Sequence, residues 1–334
     1  MINRISFVFI AVVFLSSCHN GGERAFLYLD GFTQGTSYYI AYNSPDSIDY
    51  HEDIKELFAY IDNSMSIYNP GSVISAVNRS EPGIRPDDYF VAVFERAMEI
   101  SEKTGGAFDI TVGPLVNAWG FGFTERENIT PELVDSILGF TGWHKVRLED
   151  GLIVKDDERI MLDMNAIAKG YTVDVVARFF DSRGINDYMI EVGGEIRVKG
   201  TNRNDQLWRI GIDKPVDDPA AMSRELQEVL HLTGASLATS GNYRRFYIED
   251  GQRFAHTIDP STGYPVRHNL LSATVVTTTA MDADAFATAF MVMGLEESME
   301  FASSHPDIEA YFIYDINGMS AVAHTDGIKD MIRR

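Results

Sequence analysis

The chain has 334 residues, of which 45% are hydrophobic and 23% are charged, so it can bury the core of one large or two modest domains. Asp and Glu number 49 against 28 Lys and Arg, which gives a formal net charge of −21. This balance argues against a nucleic-acid partner, because a phosphate backbone demands basic surface. An anionic ligand would have to be held by local dipoles, a few cations or a metal ion.

The N-terminal segment predicts export and lipid attachment. One basic residue, Arg4, precedes an apolar run at residues 5–15 that is too short to span a bilayer comfortably. Small residues then lead to Cys18, the single cysteine, an arrangement that resembles a bacterial lipoprotein signal. A plain secretory signal or a short anchor is the alternative. We predict a signal peptide at 1–17, a tether at 18–25 lipidated at Cys18, and one domain at 26–334.

This prediction places the mature protein outside the cytoplasm, anchored by lipid to a bacterial membrane and facing the periplasm. The sequence does not say which membrane holds the lipid. With one cysteine, an internal disulfide is excluded.

The first third of the chain predicts two strands followed by helices. Apolar spacing at i, i+3, i+4 and i+7 marks an amphipathic helix around Ile54 to Ile61. Gly105 and Gly106 are expected to end a longer helix. The predicted elements are strands at 26–29 and 37–42 around a turn at 30–35, a short helix at 72–78 and a helix at 87–103.

Residues 106–122 contain four glycines and Pro114, which predict irregular backbone and no helix. Long irregular stretches inside a domain are often functional. Within this stretch Phe108 precedes Asp109. The pair is open to two interpretations: a ring that stacks on a flat ligand beside an edge-binding carboxylate, or a packed Phe with a turn-capping Asp.

The most informative stretch runs from Asp163 to Asp174. We read it as a strand end at Met161 and Leu162, a tight polar turn, and then a helix. A strand-to-helix turn directs free N–H groups and the positive end of a helix dipole at an anion, and Lys169 adds a cation. An ordinary connection with a solvated lysine is the alternative.

The remainder of the chain predicts many short strands and one apolar helix, so the fold class is α+β. No clean linker is visible, so any lobes are expected to be interleaved in sequence. The predicted elements are a helix opened by Thr130-Pro131 and closed by Gly139, a hairpin at 146–154, strands at 188–192, 196–199, 208–212, 229–232, 246–248, 254–258 and 272–276, a loop at 213–224, a helix at 281–293, and a terminal hairpin at 310–323 turned by Asn317-Gly318.

The helix at 281–293 carries a candidate metal site. Asp284 and Thr288 are four residues apart, so they share a helix face and can both offer oxygen atoms to Mg²⁺. Acidic residues that favour the start of a helix are the alternative explanation.

A second candidate region combines small hydroxyl residues with a histidine. Residues 239–244 and 256–263 contain Gly, Ser and Thr, which in a loop can cradle phosphate or ribose. His256 lies among them and is a candidate general base or acid. A turn histidine bonded to Asp259 is the alternative. The known phosphate, dinucleotide and zinc fingerprints are missing from the sequence.

Taken together, these pieces resemble the ApbE family of FAD:protein FMN transferases. The resemblance runs from about residue 31 to residue 294, and its strength lies in the number of matching pieces in one order. They are Gln34-Gly35-Thr36, residues 65–68 with Ser72 and Asn78, residues 106–111 with Pro114 and Trp119-Gly120, residues 163–174, residues 192–194, residues 240–243, residues 256–260 with Thr262-Gly263, and residues 282–284 with Thr288.

The resemblance implies a two-lobed fold with FAD in a central cleft and a Mg²⁺-dependent reaction. Such an enzyme cuts FAD, joins FMN through a phosphoester to a threonine hydroxyl of an acceptor protein, and releases AMP. By similarity, Mg²⁺ would take the carbonyl of Ala166 with Asp284 and Thr288, and His256 would help remove the threonine proton. The FAD contacts implied are Gln34, Tyr68, Ala107, Phe108, Asp109, Asp163, Lys169 and Ile258.

One position departs from the family pattern: Gln34 stands where the family often has Met. Two other functions keep part of the site. The first is a pyrophosphatase that uses water as acceptor and gives FMN and AMP. The second is a lipid-tethered flavin-binding protein without chemistry, which the Asp284 and Thr288 pair argues against, because simple flavin binding needs no metal.

Overall fold

The computed structural model describes residues 24–122, 126–215, 225–242, 246–249 and 252–332. The predicted signal peptide and most of the tether, with Cys18, lie outside these residues. In chain order the strands are β1 (Phe26–Thr33), β2 (Thr36–Asn43), β3 (Val146–Glu149), β4 (Leu152–Lys155), β5 (Tyr188–Val192), β6 (Glu195–Lys199), β7 (Trp208–Asp213), β8 (Leu226–Leu232), β9 (Ala235–Gly241), β10 (Phe246–Glu249), β11 (Gln252–Ala255), β12 (Leu270–Thr277), β13 (Glu309–Ile316) and β14 (Met319–His324).

The helices alternate with these strands, so the predicted α+β class is confirmed. They are α1 (His51–Met65), α2 (Val73–Asn78), α3 (Asp88–Lys103), α4 (Gly113–Ala118), α5 (Pro131–Phe140), α6 (Ala168–Ser182), α7 (Ala280–Met293), α8 (Leu295–Ser304) and α9 (Asp326–Ile332). Among the described residues, no helix combines the length and the apolar composition that a membrane span needs.

One large antiparallel sheet forms the frame of the fold. Its eight strands lie in the order β1-β2-β5-β6-β9-β12-β13-β14. The pairs β3-β4, β7-β8 and β10-β11 form separate two-stranded sheets in the described structure. The sheet order departs from the sequence order at β2-β5, β6-β9 and β9-β12. The segment between β2 and β5 contains helices α1–α6, whereas the other two connections contain the pairs β7-β8 and β10-β11.

Both faces of the large sheet carry packed layers. One face packs against α1 and α6 through a cluster that includes Ile40, Phe180 and Ile190. The other face packs against β7, β8 and α9 through a cluster that includes Ile210 and Ile328. A third and larger core joins α3, α4, α5 and α7 to the sheet. Burial of these apolar side chains is the main stabilising term of the fold.

Helices α6 and α7 cross at unusually close range. A Cβ atom on Gly170 would overlap the carbonyl oxygen of Ala280, so only glycine fits at this point of contact. The carboxylate of Asp174 accepts hydrogen bonds from the backbone N–H groups of Ala280 (3.1 Å) and Met281 (2.9 Å) at the start of α7. Arg197 pairs with the same carboxylate at 2.6 Å. The crossing is therefore fixed by shape and by a capped helix end.

The structure corrects several local predictions. The glycine-rich stretch contains a helix, α4, because Pro114 occupies its first turn, where a missing N–H costs nothing. Met161 and Leu162 do not form a strand; the side chain of Asn78 instead bonds both the N–H and the carbonyl of Leu162. The strand predicted at 254–258 ends at Ala255.

Other corrections concern missed elements. Residues 239–241 belong to strand β9 and not to a loop, because they pair with β12. Helices α8 and α9 were not predicted. The turn predicted at 30–35 is a two-residue turn, with Gln34 and Gly35 at φ 49° and 72°. Most of the loop predicted at 213–224 lies outside the described residues.

Gly170→Ala tests the close crossing of α6 and α7. We expect the free energy of unfolding to fall by about 3 kcal/mol, because overpacking against backbone cannot be relieved by a rotamer change. Urea denaturation measures this loss. Gly139→Ala is the matched control: a Cβ there meets nothing within 4 Å, so helix propensity predicts a gain of about 0.5 kcal/mol. Equal stability of the two variants would contradict the close contact.

Candidate functional site

A cavity of about 1110 Å³ opens where the helical segment α1–α4 meets the large sheet. It is lined by α1, by the glycine-rich stretch, by the turn before α6, by the β5–β6 turn and by α7. Its size slightly exceeds the range of about 300–1,000 Å³ typical of small-molecule sites. All twelve sequence-predicted site residues other than Cys18 line it: Gln34, Tyr68, Ala107, Phe108, Asp109, Asp163, Ala166, Lys169, His256, Ile258, Asp284 and Thr288.

The turn before α6 directs its polar groups into this cavity. Asp163 accepts a hydrogen bond from the N–H of Asn165 at 2.8 Å, which closes the turn. Its own N–H donates to the carbonyl of Ile110 at 2.7 Å, which ties the turn to the glycine-rich stretch. Burial raises the pKa of the Asp163 carboxyl, while the Asn165 N–H and the Lys169 charge oppose the rise.

Lys169 stands at the centre of a buried charge cluster that it forms with Glu195 and Asp284. Its ammonium lies 3.0 Å from Oε1 of Glu195 and 3.7 Å from Oδ2 of Asp284. Burial alone would lower the pKa of Lys169, but the two carboxylates outweigh burial and raise it. The lysine is therefore a fixed positive charge on the cavity wall.

The two carboxylates of this cluster are both deeply buried. Asp284 also accepts a hydrogen bond from the N–H of Gly170 at 3.1 Å. Burial raises the pKa of Asp284, with Lys169 and Gly170 opposing the rise. Burial raises the pKa of Glu195 to about 7, again opposed by Lys169. Oε2 of Glu195 is buried without a hydrogen-bond partner in the described structure.

The donor set fits a hard divalent cation. Two buried carboxylates face one ammonium, so the cluster carries a surplus negative charge that a cation would offset. Oxygen atoms suit Mg²⁺, and Thr288 offers a hydroxyl on the cavity face, 3.2 Å from the hydroxyl of Ser240. Among the described residues, no group of three His, Cys, Asp or Glu side chains could hold a metal. A cation here would use one carboxylate with neutral oxygens.

The Phe108 and Asp109 side chains are packed into the protein. Phe108 is 2% exposed and belongs to the large core. Oδ1 of Asp109 accepts hydrogen bonds from the N–H and hydroxyl of Thr111, and Oδ2 accepts one from the N–H of Trp143. Burial raises the pKa of Asp109, and these hydrogen bonds oppose the rise. For the side chains, the structure has the packed Phe and turn-capping Asp of the second interpretation.

The remaining predicted residues lie around the cavity rim and wall. The side-chain amide of Gln34 donates to the hydroxyl of Thr172 at 2.7 Å, which fixes the β1–β2 turn against α6. Tyr68 is 64% exposed at the rim. The ring of His256 lies 6.4 Å from that of Phe121, edge to face. Oδ1 of Asp259 accepts hydrogen bonds from the N–H and the hydroxyl of Ser261, which cap its own turn.

Sequence reasoning missed Glu195 as a site residue. It directly follows Gly193-Gly194. The signal available was an acidic residue at the start of a strand next to a two-glycine turn, where backbone can approach a ligand. Its pairing with Lys169 joins β6 to α6, which no sequence spacing encodes.

The ApbE family model matches residues 34–312. A FAD:protein FMN transferase of Vibrio cholerae is 38% identical over 304 residues, 88% of this chain and 89% of that protein. One of Haemophilus influenzae is 35% identical over 313 residues, 90% and 89% of the two chains. The solved structure of the flavin transferase ApbE from Vibrio cholerae superposes with a TM-score of 0.83 at 35% identity, covering 92% of this chain and 99% of that chain.

Lys169→Ala tests the buried charge cluster. We expect the free energy of unfolding, without added metal, to fall by about 3 kcal/mol near pH 8, because two buried carboxylates lose their cation. The loss should shrink toward pH 5. A buried carboxyl with a raised pKa binds its proton more tightly when folded, so its penalty disappears as the pH falls.

Urea denaturation at both pH values measures these losses. Lys199→Ala is the control, because Lys199 and Asp181 form a pair with side chains that are each 38% exposed, worth less than about 1 kcal/mol. A loss for Lys169→Ala no larger than that of Lys199→Ala would show that the cluster is not a coupled buried site.

Proposed function

Because the chain belongs to the ApbE family and is a transferase of that family, we propose that it moves the FMN half of FAD onto a threonine hydroxyl of an acceptor protein. The products are a phosphoester-linked flavin and AMP. The observation that carries this proposal is the single cavity that gathers the predicted FAD, metal and proton-transfer residues around one buried charge cluster.

FAD is the proposed occupant of the cavity. The residues proposed to contact it are Gln34, Tyr68, Asp163, Lys169 and Ile258, with the 107–109 run. The side chain of Phe108 is packed in the core and that of Asp109 is hydrogen-bonded within the protein, so residues 107–109 would contact FAD mainly through backbone groups. Lys169 suits the pyrophosphate, because its positive charge is fixed on the cavity wall.

Mg²⁺ is the proposed cofactor. Asp284, Thr288 and the backbone carbonyl of Ala166 would hold it, since all three line the cavity and offer oxygen atoms. When bound, a divalent cation neutralises charge that develops on the transferring phosphoryl group. Lys169, paired with Asp284 at 3.7 Å, would share in that neutralisation once phosphate enters.

The proposed chemistry is a displacement at phosphorus. A new P–O bond joins the threonine oxygen to the phosphorus of the FMN half, and the bond from that phosphorus to the bridging oxygen breaks. AMP leaves with the bridging oxygen, and His256 accepts the threonine proton. His256 lines the same cavity as Lys169 and Asp284, which is what proton removal at this position needs.

Two other functions use the same residues. A pyrophosphatase would replace threonine by water and give FMN and AMP, and the same charged groups would serve it. A flavin-binding protein without chemistry would not account for the buried carboxylate of Asp284 or for Oε2 of Glu195, which is buried without a hydrogen-bond partner in the described structure.

For location, we propose a lipid at Cys18 that holds the protein at a membrane facing the periplasm. This proposal is supported by the N-terminal sequence.

Asp284→Ala tests the reaction and the metal site together. The full chain is incubated with FAD, Mg²⁺ and a threonine-bearing acceptor from a redox complex that carries phosphoester-linked FMN. AMP release and acceptor mass are measured together. The wild type should add one FMN mass per AMP released, and Asp284→Ala should lose at least about a hundredfold in rate, because charge stabilisation at phosphorus is lost.

Asp282→Ala is the matched control on the same helix. Asp282 pairs with Arg96 at 2.7 Å and does not line the cavity, so transfer should persist. AMP without a mass gain on the acceptor would favour the pyrophosphatase. FAD binding without AMP release, whichever metal is added, would favour the flavin-binding protein and contradict the transfer chemistry.

His256→Ala tests the proposed base. We expect kcat to fall by about a hundredfold while the dissociation constant for FAD changes less than about twofold, because proton removal acts in the transfer step. His144→Gln, an exposed histidine outside the cavity, is the control. An unchanged kcat in His256→Ala would assign the proton to another group.

A further inference from the structure

An exposed aromatic surface lies on the large sheet next to the cavity. We call it the aromatic ledge and define it by Tyr28, Phe32 and Tyr39, which are 47%, 75% and 37% exposed. The rings of Tyr28 and Tyr39 lie 6.3 Å apart. Single exposed aromatics are ordinary, but three on the edge strand β1 and its neighbour β2 form a patch that marks a contact surface.

Strand register makes the ledge continuous with the cavity wall. Residues that pair across an antiparallel sheet point to the same face. Tyr39 pairs with Glu191, and Tyr28 pairs with Ala41, which in turn pairs with Met189. Glu191 and Met189 both line the cavity. The ledge is therefore one or two strands away from the cavity wall, on the same face of the sheet.

The hairpin end of β1 and β2 completes this continuity. Phe32 pairs with Ser37, whose carbonyl accepts a hydrogen bond from the N–H of Gly193 at 3.0 Å. Gly193 lines the cavity, as do Gln34 and Gly35 in the turn that joins the two strands. The β1–β2 turn and Gly193 form no barrier between the ledge and the cavity mouth. A polypeptide segment bound on the ledge would therefore reach the cavity mouth.

The rest of this sheet face is covered. Strands β7 and β8 and helix α9 pack over Val198, Leu237 and Ile313. At the start of β1 the ring of Phe26 lies 6.0 Å from that of Trp208. Beyond that contact, β1 and β2 carry the exposed rings, so the described fold leaves this part of the face open beside the cavity.

We propose that the aromatic ledge is the docking surface for the acceptor protein, and that it binds an extended segment carrying the target threonine. This inference rests on the proposed transfer reaction, which requires a polypeptide to deliver a hydroxyl to the cavity. Exposed Tyr and Phe rings are typical anchors for such a segment. The acidic groups Asp30 and Glu191 on the same face, and the net charge of −21, favour a neutral or basic segment.

The double variant Tyr28→Thr with Phe32→Thr tests the ledge. Threonine keeps strand propensity, so the sheet is retained. Using the full chain and the acceptor that gains FMN mass in the preceding test, we expect KM for the acceptor to rise at least about tenfold, because two aromatic anchors are removed. The rate at saturating acceptor and the dissociation constant for FAD should stay within about twofold.

The control is Ile316→Thr with Met319→Thr at the opposite edge of the sheet. These residues pair with each other and are 43% and 68% exposed, outside the cavity. Their acceptor KM should match that of the wild type.

Three outcomes overturn the inference. An unchanged acceptor KM in the ledge variant, with transfer intact in the wild type, rejects the ledge alone. Loss of self-association or of binding to phosphatidylcholine vesicles, with an unchanged acceptor KM, assigns the ledge to a second copy or to a lipid surface. No FMN transfer by the wild type rejects the proposed function, and the ledge assignment falls with it.

Discussion

The close crossing of α6 and α7 is the constraint on which the site depends. Gly170 allows the backbones to touch, and Asp174 caps the start of α7. The same contact lets the N–H of Gly170 bond Asp284 and brings Lys169 beside that carboxylate. One packing event therefore both joins the helices and assembles the charges. A wider crossing would leave Asp284 buried without its donors, which is costly.

The charge cluster is suited to bind a ligand because its carboxylates are incompletely hydrogen-bonded and incompletely neutralised. Buried polar atoms are almost always hydrogen-bonded, so the orphaned Oε2 of Glu195 is an exception that a functional site can explain. Lys169 divides its charge between two carboxylates and fully neutralises neither. Folding thus leaves surplus negative charge on the carboxylates in the cavity. Binding of a cation together with an anionic substrate would offset that charge.

Much of the fold could be predicted from apolar patterning, since α1 and α3 bury clear apolar stripes and α7 is apolar on nearly all sides. Strand β9 was missed because its Ala, Ser and Gly residues weaken the strand signal of its Leu and Thr, and its pairing with β12 decides its structure. The short α4 was missed because glycine and proline suggest a break, although proline suits a first turn. Lys169, His256 and the pair Asp284 and Thr288 were candidates from turn chemistry and spacing, whereas their roles and the remaining site residues came from family resemblance. Glu195 was missed as a site residue because its role depends on a contact between β6 and α6.

The strand order also sets how the protein must fold. Tyr38 pairs with Val192, so the N-terminal hairpin has no neighbour in the sheet until more than half of the chain is available. The cavity is lined by residues from Gln34 to Val292, so it is complete only near the end of the polypeptide. Such long sequence separation favours slow folding. An emerging chain therefore passes through most of its synthesis without a complete binding site and acquires one late.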